Sequence, residues 1–237
     1  MCVVSVAWKA HPRWLLIAAG NRDEFHAREA EPLATWVDAP SIIAGRDILS
    51  QGTWMGVSRD GRFGVVTNVR NPDGPDPDKA SRGALVTDWL AGSRLPDKPD
   101  AYNPFNLLVA DQDAVYFMSN RPSAVRTSLG EGLHSLSNSI AGELWPRKER
   151  LNSAVESWLH NGANDPRTLF SFLADSHADR GEEHPMFIRN NRYGTRCSTI
   201  FAVDSHGAGF VIERRFARNG GFAGESSCAF EWCARTL

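Results

Sequence analysis

A chain of 237 residues is sized for one large domain, 1–237, and its formal net charge of −2 provides no electrostatic footprint for nucleic acid. No apolar run approaches the ~20 residues of a membrane helix, and Lys9 interrupts the N-terminal apolar run that a secretory signal would need. The four cysteines, Cys2, Cys197, Cys228 and Cys233, are too few for a disulfide scaffold, so a cytoplasmic setting is expected. Cys228 and Cys233 would be half of a metal site with no second ligand pair, and no metal is expected.

The first 25 residues, MCVVSVAWKAHPRWLLIAAGNRDEF, read as a strand through Val3, Val4, Val6 and Trp8, a turn at His11-Pro12-Arg13, and a return strand from Leu15 to Ala19. Antiparallel pairing then puts Cys2, at the tip of one strand, beside Asn21, Arg22, Asp23 and Glu24 at the end of its neighbour. Methionine ahead of a small residue is commonly trimmed during synthesis, which would leave Cys2 with a thiol and a free α-amine on one carbon. Unperturbed pKa values of about 7.7–8.0 for the amine and about 8.5 for the thiol suit proton transfer between them. Arg22 would favour the thiolate further. The plainer alternative is a small apolar residue in a buried strand.

Strands dominate the next stretch. Ser41 to Ala44 is a short apolar piece, and Thr53–Ser58 and Arg62–Val69 flank Asp60-Gly61, a strong hairpin signal. Asn68, inside an apolar strand, either satisfies backbone or points its amide into a site. Asn71 to Ala80 is an exposed loop. Ser81 is placed to cap a helix through Leu90 with Leu85, Val86, Trp89 and Leu90 inward. After a proline-rich loop from Arg94 to Pro104, Phe105–Ala110 and Ala114–Met118 form a hairpin, and Gly132–Ser137 is a strand closed by Asn138.

Pro146 sits well in a helix's first turn, with Leu151, Ala154, Val155, Trp158 and Leu159 inward and Asn161-Gly162 as its stop. Asp165-Pro166 opens another around Leu169, Phe170, Phe172 and Leu173. His177 to Asn191 reads as a mobile loop near the site or a surface connection. Tyr193 to Val203 is a strand headed by Arg196, a second candidate cation or a surface ion pair. Ser205-His206-Gly207 turns the chain into Ala208–Phe216, and the apolar residues of the tail should pack on the body. Several strands are apolar on both faces, which calls for sheets covered on both sides. The expected fold is therefore α+β, two mainly antiparallel sheets sandwiched between helical layers.

Four motifs in order resemble the NRDE family, also called the transport and Golgi organisation protein 2 family. They are Met1-Cys2 with Asn21-Arg22-Asp23-Glu24-Phe25; Gly52-Thr53-Trp54-Met55-Gly56-Val57-Ser58; Leu136-Ser137-Asn138 with Trp145-Pro146-Arg147-Lys148; and Tyr193-Gly194-Thr195-Arg196. That family has been linked to Golgi organisation, haem trafficking and acyl-lipid metabolism. A more distant likeness is to the choloylglycine hydrolase and penicillin V acylase group of N-terminal-nucleophile hydrolases, which implies a four-layer αββα sandwich.

By that resemblance Cys2 matches the nucleophile, Asn68 and Asn138 the two later asparagines, and Arg196 the late arginine. The group's Arg-Asn-x-Asp is replaced here by Asn21-Arg22-Asp23-Glu24, so either Arg22 and Asp23, or Asn21 and Glu24, fill the arginine and aspartate positions. The implied chemistry is a cysteine amidase acting on a small amide or acyl compound. Cys2, Arg22, Asp23, Asn68, Asn138 and Arg196 would be its machinery, with Asn21 and Glu24 at the substrate. The alternatives are a carrier of haem or acyl-lipid cargo in the same pocket, and a scaffold for a protein partner. No resident cofactor is expected. His26 is the nearest candidate for a haem ligand.

Overall fold

A computed structural model describes residues 2–72, 74–177 and 185–232. The chain opens as β1 (Val3–Trp8) and β2 (Trp14–Phe25), then β3 (Ala30–Thr35), β4 (Ile42–Asp47), β5 (Met55–Ser58), β6 (Arg62–Asn68) and helix α1 (Arg82–Leu90). It continues with β7 (Phe105–Ala110), β8 (Val115–Ser119), β9 (Val125–Leu129), β10 (Gly132–Leu136), α2 (Pro146–His160), α3 (Leu169–Leu173), β11 (Tyr193–Asp204), β12 (Ala208–Phe216) and β13 (Phe222–Glu231). Six strands pair in the order β10-β1-β2-β11-β12-β13 and seven in the order β3-β4-β5-β6-β7-β8-β9, every neighbour antiparallel.

Three apolar cores separate four layers. Between the sheets lie Val4, Val6, Leu16 and Ala18 of one and Ile43, Val57, Phe63, Val65 and Leu108 of the other. The opposite face of the six-stranded sheet presents Val3, Ala7, Ile17 and Ile200 to Leu151, Val155, Trp158, Leu169 and Leu173 of α2 and α3. The outer face of the seven-stranded sheet presents Ile42, Ala44, Leu107 and Val109 to Leu85, Val86, Trp89 and Leu90 of α1. This is the expected sandwich, and it explains strands apolar on both alternations: both of their faces are covered.

Several local expectations change. The return strand runs to Phe25, so Asn21–Glu24 lie inside β2 and pair with Ser198, Cys197, Thr195 and Gly194 of β11. Ser81 occupies the N-cap position of α1 but makes no side-chain cap hydrogen bond. Three strands absent from the sequence reading, β3, β9 and β13, are all outermost in their sheets. β9 has no buried residue, and β3 and β13 have one each, Leu33 and Phe230; β13 alternates in burial, but its inward positions include Gly224 and Ser226, so none carries the apolar alternation that marks a strand in sequence. The tail packs through β13, with Phe230 and Trp232 in the core between the sheets. Of the two tail cysteines, Cys228 is half-buried on β13 and Cys233 lies outside the described residues. Part of the expected 177–191 loop, residues 178–184, is likewise outside them, but Met186, Phe187 and Ile188 are buried. Among the described residues no helix is long and apolar enough to cross a membrane.

Candidate active site

β1 pairs with β2 so that Val3 faces Asn21, and one step further along that register sets Cys2 beside Arg22. Alternation along β2 then sorts its polar run by face. Arg22 and Glu24 point into a cleft of about 390 Å³ that Cys2 also lines, whereas Asn21 and Asp23 point toward the helices. The residues on the cleft side thus come one from each of the two pairings that the sequence left open. Cys2 is half-buried, with its Sγ 3.8 Å from the backbone carbonyl oxygen of Asp23.

The cleft's far wall comes from the other sheet. It is built by the β4–β5 loop, the end of β6 with Asn68, and the start of α1. Gly52 and Gly83 make that wall possible: a Cβ on Gly52 would lie 2.6 Å from the carbonyl carbon of Gly83. Only glycine allows the loop backbone to touch the first turn of α1, which brings Arg82 into the cleft. Arg28, Asp47, Asp76, Lys79 and Arg82 are the charged lining residues that the sequence reading missed. Arg28 comes from the turn before β3 and Asp47 from the end of β4, and no spacing in the sequence links them to Cys2.

Asp47 organises the cations. It accepts from Arg28 Nε at 2.6 Å and from Arg22 Nη2 at 3.2 Å, and Glu24 lies 3.9 Å from Arg22. Burial pushes the Asp47 carboxyl up, but the hydrogen bonds from Arg28 and the Ser50 amide, with the charge of Arg22, outweigh it and hold its pKa low. For Cys2 burial is the largest influence. The thiol is pushed above its ordinary range by burial and by the Asp23 carboxylate, against the pull of Arg22. The thiol is therefore the resting form near neutrality, and a base at the moment of attack is needed.

Asn68 is exposed on the cleft wall, and its side-chain amide has no hydrogen-bond partner among the described residues. Asn138 lies behind it, 7% exposed, with Nδ2 donating to the Asn68 carbonyl at 2.5 Å. Arg196 is not brought to Cys2. It stands at an irregularity in the β2–β11 pairing and lines an adjoining cavity of about 180 Å³ with Cys197 and Glu213, which shares Arg22, Asp47, Thr53 and Trp54 with the Cys2 cleft. Its Nη1 donates to His26 Nδ1 at 3.0 Å, which leaves Nε2 of that imidazole to donate to Asn190 O at 2.8 Å. Both nitrogens of His26 are thereby engaged, so it offers none to a haem iron.

The helical side of β2 is saturated. Asn21 is fully buried; its Nδ2 donates to Leu173 O and Met186 O at 2.9 Å each, and its Oδ1 accepts from Ser198 Oγ at 2.6 Å. This is no place for a substrate contact. The Asp23 carboxylate accepts from Thr195 Oγ1 at 2.6 Å and forms a buried ion pair with Arg147, whose Nη2 also donates to Met186 O. Arg147 belongs to one of the sequence motifs, yet only the fold shows that it anchors the strand carrying Arg22 and Glu24.

Comparison with known proteins agrees with this architecture. A family model described as Transport and Golgi organisation 2 matches residues 1–218. The chain is 28% identical to the Transport and Golgi organization 2 homolog of Mus musculus, over 90% of this chain and 92% of that protein, and the Homo sapiens protein matches with the same three values. The Drosophila melanogaster Transport and Golgi organization protein 2 is also 28% identical, over 90% and 91%. In fold the chain is similar to a Caenorhabditis elegans N-acylethanolamine-hydrolyzing acid amidase ortholog, with TM-score 0.54, 14% identity, and 84% and 92% of the two chains covered. A conjugated bile acid hydrolase variant from Clostridium perfringens superposes with TM-score 0.53 at 9% identity over 98% and 92%.

Proposed function

This chain belongs to the Transport and Golgi organisation 2 family, and from that membership and its fold we propose that it is a cysteine amidase acting on a small amide or acyl compound. The observation that carries the reading is a thiol at the second residue, half-buried in a cleft that also holds Arg22 and the side-chain amide of Asn68, which has no partner among the described residues. Removal of Met1 gives Cys2 an α-amine. That amine takes the thiol proton as the sulfur attacks the substrate carbonyl. The C–N bond of the tetrahedral intermediate breaks, the same proton passes to the leaving amine, and a thioester remains. Water then attacks the thioester, gives up a proton to the α-amine, and releases the acid and the thiol.

Each neighbour has a task in this scheme. Asn68 donates to the oxyanion, and Asn138 holds the Asn68 backbone in place. Arg22, steadied by Asp47, keeps positive charge beside the forming thiolate. Asp23, its carboxylate clamped by Arg147 and Thr195, fixes the strand beside Cys2 and lends its backbone carbonyl to the sulfur.

The test is paired. Intact mass of protein from its native host should show loss of Met1, and Cys2→Ala should abolish turnover across a panel of small amides while the unfolding midpoint stays put. Retained methionine, or turnover in the alanine variant, sinks the scheme. A second reading, a carrier of acyl cargo, has one observation in its favour. A cavity of about 330 Å³ beneath β10 is lined by Leu108, Phe117, Leu129, Leu133 and Leu136, with Asn106, His134 and Lys148 among its polar residues. Saturable binding of a fluorescent fatty acid, with no hydrolysis of any amide, would favour that reading.

A further inference from the structure

The Cys2 cleft carries more positive charge than its own carboxylates use. Asp47 is committed to Arg28 and Arg22, and Glu24 lies nearest to Arg22. Arg82, the first residue of α1, enters from the opposite wall. Its Nη1 makes one long hydrogen bond, 3.4 Å to Pro104 O, and no carboxylate lies within ion-pair distance of it among the described residues. Lys79 on the same wall has none either. Burial, and then the nearby charge of Arg28, lower the pKa of Arg82 against the opposing charge of Glu24, and Arg82 and Cys2 line the same cleft.

A guanidinium keeps its proton in a protein, and Arg82, half-buried on the cleft wall with one long hydrogen bond, has donors left for a ligand. An anion in the cleft would take those donors up. Among the described residues four cationic and three carboxylate side chains line it, which leaves one positive charge over. One charge matches a carboxylate better than a phosphate, and the planar fork of arginine fits a carboxylate with two parallel hydrogen bonds. We propose that Arg82, with Lys79 beside it, is the specificity-determining residue of this site and selects small amides that carry a carboxylate within reach of the scissile carbonyl. The proposal rests on the amidase reading for the word substrate, but the subsite itself can be tested without turnover. A cleft of about 390 Å³ is at the small end of ligand pockets, which suits a compact acid.

The probes are iodoacetate and iodoacetamide, near-isosteric alkylating agents that differ by one negative charge. Their rates at Cys2 are read separately by peptide mass spectrometry in the full chain. The ratio of the two rates cancels the thiolate fraction, so it reports the anion subsite alone. In the wild-type protein the ratio should exceed that of Arg82→Gln by about tenfold, the equivalent of ~1.4 kcal/mol. Lys79→Gln should move it the same way by less. Arg82→Lys, which keeps the charge and the fold but loses the fork, should fall between.

At constant ionic strength, sodium acetate should slow labelling by iodoacetate more than inorganic phosphate does. A ratio unchanged in both glutamine variants overturns the proposal, as does protection by phosphate alone. The two readings fail separately. A charge-dependent ratio with no hydrolysis of any amide removes the enzyme and keeps the subsite; hydrolysis indifferent to a carboxylate removes the subsite and keeps the enzyme.

Discussion

The two faces of β2 make different use of the same four residues. On the helical face, Asn21 and Asp23 are buried, and Leu173, Met186, Ser198, Thr195 and Arg147 satisfy them. On the cleft face, Arg22 and Glu24 are half-buried, held by Asp47 and by one another, and open to whatever enters. A buried polar group left without partners costs a desolvation penalty, so the dry face has to be complete in the resting protein. The wet face has water as a standing partner and can leave capacity for a ligand. One motif thus supplies an anchor and a reactive surface, and a strand's two-residue period keeps them apart.

That contrast can be broken in four ways. The largest effect is expected on the dry face. Arg147→Met strands the Asp23 carboxylate and should lower stability by about 3–5 kcal/mol in urea unfolding; a loss under about 1 kcal/mol would mean that the buried pair is not an anchor. On the wet face, Asn68→Ala should cut kcat by about 10²–10³ with its unfolding midpoint unchanged, because the side chain is exposed and unpaired. A drop in stability with intact kcat would exchange the roles of the two faces.

A smaller effect is expected for Asp47, whose pKa is depressed in the fold. A carboxyl with a depressed folded pKa stabilises the protein above the unfolded value of about 3.9 and loses that contribution as pH falls through the folded one. The stability difference between wild type and Asp47→Asn should therefore persist at neutral pH and shrink in acid below about pH 4. Growth of the gap on acidification would contradict the ion-pair geometry. Least of all, Arg196→Gln should leave kcat/KM within about twofold, since its guanidinium faces the neighbouring cavity and His26. A hundredfold loss would show that Arg196 swings to Cys2 during turnover.

Much of the frame was legible from the sequence. Asp60-Gly61 fixes a hairpin by local sterics, with Gly61 at φ +85°. Pro146 starts α2, and the Asp165 side chain accepts from the Arg167 amide just as a cap-and-start signal implies. The inward stripes of α1, α2 and α3 follow from a 3.6-residue repeat that depends on neighbours along the chain. Strands with both faces apolar implied layers on both sides, and the three separate cores are the result.

What the chain by itself determined, then, was everything set by short-range geometry: turns, caps, helical stripes and the period of strands buried on both sides. The tertiary structure alone decided which face of Asn21–Glu24 met the thiol, because alternation fixes that residues differ in side but not which side is inward. It alone brought Asp47, Arg82 and Arg147 to β2 from distant stretches, and it alone turned Arg196 away at a break in strand register. Outermost strands escaped detection for the same reason. Their hydrogen bonds are made on one side only and their side chains are mostly solvated, so their place is set by the sheet they join and leaves little mark on their own sequence.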